Sequence, residues 1–127
     1  AVPGVRVEPS ATRRVLVVDD ESGVRDVLGR ILERAGYQAV LASDGHEALA
    51  LLEQGEPFDF LLSDLAMPGM SGRELLEWAA TAFPRVRRVL MSGFAEDEQV
   101  RASLTSTGAR YLPKPFTLAA VRHALEG

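Results

Sequence analysis

The feature that most constrains this chain is an alternation repeated five times. Short apolar runs of strand character take turns with segments whose apolar residues recur at helical spacing. The strand candidates are Val15–Asp19, Gln38–Ala42, Phe58–Ser63, Val86–Ser92 and Arg110–Leu112. After the first run, Val24, Val27, Leu28, Ile31, Leu32 and Ala35 form one helical stripe, and Gly36 supplies a left-handed stop. Asp44-Gly-His-Glu47 and Ser71-Gly-Arg-Glu74 each read as a capping box opening a helix, and Pro84 ends the second of these. The segment Glu96–Ser106 has only Val100 and Leu104 as strong anchors and is the most weakly held helix. Thr117 caps a last helix with Leu118, Val121 and Leu125 on one face.

Five strand–helix units predict an α/β fold, a doubly wound (βα)5 sandwich around a parallel sheet. Parallel strands covered on both faces read as near-continuous apolar runs, as they do here. Right-handed crossovers leave few topologies, and the expected strand order is 2-1-3-4-5. Ligands of such sheets gather beyond the carboxyl ends of the strands.

With 127 residues the chain has the size of one domain. Residues 1–13, with Pro3, Gly4 and Pro9, read as a linker or tail, and 14–127 as the domain. A net charge of −4 argues against direct nucleic-acid binding, which needs a basic face. There is no cysteine for a disulfide or thiolate metal site. No apolar run reaches the ~20 residues of a membrane span, and the first residues lack the order of a secretion signal. The expected location is cytoplasmic. Of the 14 basic residues only Lys114 is a lysine, which makes that ammonium group worth explaining.

The residues closing the strands carry the chemistry. Asp19 and Asp20 follow the first run, Asp64 closes the third, Ser92 the fourth, and Lys114 follows the fifth. In a 2-1-3-4-5 sheet these five converge on one edge. Like charges ~4 Å apart cost on the order of 4 kcal/mol at an effective dielectric of ~20. A hard divalent cation relieves that cost. Mg2+, with Mn2+ as a substitute, suits carboxylate oxygens, a backbone carbonyl and water. Metal, carboxylate, hydroxyl and lysine together are the parts of phosphoryl transfer.

Each group also has an ordinary reading: Asp19-Asp20 as a helix cap, Asp64 before Pro68 and Gly69 as a turn acid, Ser92 as a small strand end, Lys114 as surface decoration. His46 and His123 lack paired ligand spacing and read as surface residues. Met67, Met70 and Met91 read as core or loop packing.

Four stretches in order, "VLVVDDE", "LLSDLAMPGMSG", "VLMSG" and "YLPKPF", resemble the receiver domain of two-component signalling, from Arg14 to about Glu126. The resemblance implies a flavodoxin-like fold with Asp64 as phosphoacceptor, attacking a phosphohistidine to form an acyl phosphate. It implies Mg2+ held by Asp19, Asp20, Asp64 and the Ala66 backbone carbonyl, with Ser92 bonded to a phosphoryl oxygen and Lys114 paired with it. It also implies a cis bond before Pro115 and a switch that couples Ser92 to Tyr111. Ser92 stands where threonine is more frequent. Ala66 and Phe94 flank the line a hydrolytic water would take and offer it no polar side chain, so a fairly long-lived acyl phosphate, minutes or more, is expected.

The implied partners are a histidine kinase or histidine-phosphotransfer domain docking on the first helix, Glu21 to Ala35, and an output domain or protein reading the 95–126 face. The chain is expected to be a signalling phosphoacceptor, not an enzyme. "VLMSGFAEDE" resembles receivers at the C-terminus of hybrid histidine kinases, and the proline-containing tail and the end at Gly127 suit such an excised piece; a stand-alone receiver is the other reading. Two rivals remain open. A Mg2+-dependent phosphohydrolase would also gather aspartates at strand ends, although "VVDDES" lacks the Asp-x-Asp of the haloacid-dehalogenase pattern. The second is a phosphorylation-independent interaction module with this fold.

Overall fold

A computed structural model describes residues 13–55, 57–93 and 97–126. The strands are β1 (Arg14–Val18), β2 (Gln38–Ala42), β3 (Phe60–Asp64), β4 (Arg87–Ser92) and β5 (Arg110–Pro113). The helices are α1 (Ser22–Arg34), α2 (Gly45–Glu53), α3 (Gly72–Ala82), α4 (Glu98–Thr107) and α5 (Leu118–Glu126). The strands form one parallel sheet of order β2-β1-β3-β4-β5, the expected doubly wound arrangement.

Alternation along each strand splits the core in two. Leu16, Val18, Leu61 and Leu90 face Ala48, Leu52, Leu75, Leu76 and Val100 of α2, α3 and α4. Val15, Val17, Phe60, Leu62, Val89 and Met91 face Leu28, Leu32, Val121 and Leu125 of α1 and α5. All of these are buried, because both faces of the sheet are covered.

The local signals are met with informative exceptions. Ser71 and Glu74 close a full capping box, with Ser71 N–H donating to Glu74 Oε1 at 2.9 Å and Glu74 N–H to Ser71 Oγ at 3.1 Å. At α2 only half the box forms. Asp44 Oδ1 accepts from Glu47 N–H at 2.8 Å, while the Glu47 carboxylate takes the amide and hydroxyl of Ser43. Gly36 stops α1 at φ 95°, and Phe83, turned out of the helical region before Pro84, ends α3.

Two expected inward residues point outward: Val27 is 50% exposed and Leu118 42%. On α1 the buried positions are Leu28, Gly29 and Leu32, with Gly29 facing the Leu41 side chain of β2. β1 closes at Val18, one residue before Asp19, and β3 begins at Phe60 and runs on to Asp64, although Phe58 ahead of it is still buried. α4 starts at Glu98, capped by Asp97, and residue 96, where the expected segment opens, lies outside the described residues.

Candidate functional site

The sheet order brings the carboxyl ends of β1, β3, β4 and β5 side by side. Val18 pairs with Ser63, Asp64 with Met91, and Ser92 with Pro113, so the residues just beyond them share one edge. Carboxylate oxygens of Asp19, Asp20 and Asp64 lie within 4.8 Å of one another. Lys114 Nζ donates to Asp19 Oδ2 and to Asp64 Oδ1, each at 2.9 Å. The peptide between Lys114 and Pro115 is cis.

Each member is held from its own element. Asp19 is fully buried, and its Oδ1 accepts from Glu21 N–H at 3.0 Å. Its amide still donates to Ala42 O at 3.3 Å, so β1's register carries one residue past the strand. Asp20 is exposed and faces the open side. The Ser92 carbonyl accepts from the Lys114 amide at 3.0 Å and from the Tyr111 hydroxyl at 2.6 Å, which ties the ends of β4 and β5 together. Ala66 lies in the loop after Asp64, on the edge of a cleft of about 560 Å3 that runs to Gln99 and Ser103 of α4. Phe94 lies outside the described residues.

Burial raises the Asp64 pKa above its ordinary value of 3.8; the hydrogen bond and charge of Lys114 oppose that, and the charges of Asp19 and Asp20 add to it. Burial pulls Lys114 down, but its bonds to Asp64 and Asp19 and their charges outweigh this and raise it above 10.5. The lysine is thus kept protonated by acids that still carry excess negative charge. Three hard oxygen donors at this spacing, with one half-buried ammonium among them, fit Mg2+ or Mn2+.

Two contributors escaped the sequence reading. Gly72 packs so tightly under Asp64 that a Cβ there would collide with the Asp64 carbonyl oxygen. A glycine at the first position of a capped helix, where most residues are tolerated, was the available signal. Arg25 donates through Nη1 to Asp19 O at 2.6 Å, a contact six residues back with no sequence signature.

Beside Lys114, a mainly apolar recess of about 690 Å3 is lined by Glu21, Gly23, Val24, Val27, Lys114, Pro115 and Phe116. Among the described residues no helix is long and apolar enough to cross a membrane.

Comparison with known proteins agrees with this geometry. Residues 15–126 match the family profile described as the response regulator receiver domain. The chain is 29% identical over 113 residues to sporulation initiation phosphotransferase F of Bacillus subtilis, covering 89% of this chain and 90% of that protein. It is 37% identical over 110 residues to the sensor kinase CckA of Brucella abortus, covering 86% of this chain but only 12% of the kinase. Among solved structures, chemotaxis protein CheY4 of Vibrio cholerae superposes with a TM-score of 0.82 at 28% identity, over 91% of this chain and 97% of that one. With residues 15–126 matched by that profile and the fold shared with solved relatives, this chain belongs to the response regulator receiver domain family.

Proposed function

We propose that the chain takes a phosphoryl group from a phosphohistidine onto Asp64 and passes the change to an output domain or partner. The supporting observation is the one lysine of the chain, 2.9 Å from both Asp19 and Asp64 at the mouth of a three-carboxylate cluster. In this reading an Asp64 oxygen attacks phosphorus, the P–N bond to the donor imidazole breaks, and an acyl phosphate forms. Asp19, Asp20, Asp64 and the Ala66 carbonyl would hold the Mg2+. The ion supplies charge neutralisation for the incoming phosphoryl oxygens. Lys114 moves from pairing with the Asp64 carboxylate to pairing with the phosphoryl group, and the Ser92 hydroxyl donates to another of its oxygens. Tyr111, anchored on the Ser92 carbonyl, is placed to feel that movement.

The donor, a histidine kinase or histidine-phosphotransfer domain, would dock on α1 at the recess walled by Val24, Val27 and Phe116. The 95–126 face would carry the response, in a domain spanning 14–127 behind a linker of residues 1–13. Similarity to 12% of a sensor kinase is in line with a place inside a larger cytoplasmic signalling protein of the hybrid-kinase kind, and a relative covered to 90% of its length is in line with the alternative, a stand-alone receiver. The domain acts as a phosphoacceptor rather than as an enzyme on external substrates.

The test is intact mass after incubation with phosphoramidate and Mg2+. One phosphoryl group should be gained, labile to hydroxylamine and absent with EDTA or in Asp64→Asn. Its loss should take minutes or more and be faster in Ala66→Asn. Turnover of external phosphoesters, or no gain by a folded chain, would refute the reading.

A further inference from the structure

We propose that Arg25 is a positioning residue that aims the two adjacent acids, Asp19 and Asp20, at the cation site; this rests on reading those acids as cation ligands. The carbonyl that Arg25 grips at 2.6 Å belongs to the peptide joining Asp19 to Asp20. Rotation of that peptide re-aims Asp20. Asp19 is already fixed on its side chain by the Glu21 amide and Lys114. No hydrogen bond among the described residues holds the Asp20 carboxylate, so its direction depends on the backbone behind it.

The choice of partner is informative. A half-buried guanidinium beside a cluster of three carboxylates forms no ion pair with them among the described residues, and spends its donor on a backbone oxygen instead. Arg25 lies one turn into α1, with its own amide bonded to Glu21 O at 3.1 Å. The side chain therefore folds back over the β1–α1 corner and clamps helix to strand end. Groups that orient metal ligands from behind typically change metal affinity by about 10- to 100-fold when removed.

Positioning and charge make opposite forecasts. If Arg25 acted only as a nearby positive charge, removing it would tighten Mg2+ binding. If it aims the acids, removal weakens binding, and a lysine that keeps one donor restores most of it.

The experiment is calorimetric titration of the full chain with Mg2+ for wild type, Arg25→Ala, Arg25→Met and Arg25→Lys. Arg25→Met keeps the apolar stem where Arg25→Ala fails to fold. The expected result is about tenfold weaker Mg2+ binding in Arg25→Ala and Arg25→Met, with Arg25→Lys within about threefold of wild type. Equal or tighter binding by the Ala and Met variants overturns the positioning role and leaves the proposed function standing. Absence of Mg2+ binding by wild type overturns both.

Discussion

Asp64 occupies a position that penalises its own charge. Its pKa is raised chiefly by burial, so the folded chain holds that proton to higher pH than the unfolded chain does. Stability therefore falls as pH rises from the ordinary value of 3.8 through the raised one, and stays lower at neutrality. Without Mg2+, Asp64→Asn should melt a few degrees above wild type at pH 7, with the gap closing as pH drops below 3.8. Thermal melts across pH check this, and a lower melting temperature for Asp64→Asn at pH 7 would contradict it. Lys114 shifts in the same sense at a higher pH: its stabilisation is complete below 10.5 and lost as pH rises through its raised value. Gly72 serves the same carboxylate from below. Gly72→Ala should cost about 1–3 kcal/mol in urea unfolding, because the new methyl must displace the Asp64 backbone, and phosphorylation should fall with it. The site acids and the lysine were legible because strand ends and a lone residue type mark them. Gly72 and Arg25 were not, since their roles come from contacts that only the closed fold creates.

Among the elements, α4 is the one whose seat is poorest. Its fully buried positions are Val100, Ser103 and Thr107, so two of three are hydroxyls. Thr107 satisfies its own by donating to Ser103 O at 2.6 Å. Ser103 Oγ is buried without a hydrogen-bond partner among the described residues. Ser103→Ala should thus stabilise the fold by about 1 kcal/mol, read as a higher urea midpoint; a lower midpoint would show that the hydroxyl is satisfied. The sequence spacing had marked this helix as the weakest, with Val100 and Leu104 as anchors, but an unpartnered hydroxyl leaves no trace in a pattern of apolar residues. The strands were readable throughout because burial on both faces demands unbroken apolar runs. Helix faces were less so: Val27 and Leu118 fit the apolar spacing yet are exposed, since spacing alone does not fix which edge of an apolar stripe meets the sheet.

Across the whole molecule, two apolar layers hold the sheet rigid while its carboxyl edge gathers like charges that would repel one another. The layers supply the stability that the edge spends, and the parallel register fixes which side chains meet there. The overall topology followed from the alternation of runs alone. The specific chemistry needed the sheet order, which brings residues 19, 64, 92 and 114 together from four separate units. The proposed task of this edge is to load phosphorus onto one particular oxygen-bearing side chain. Borohydride reduction after phosphoramidate treatment, followed by peptide mass mapping, reads that directly. Homoserine is expected at position 64 and nowhere else; trapping at Asp19 or Asp20, phosphate on His46 or His123, or an unmodified residue 64 in phosphorylated protein would contradict that role for Asp64.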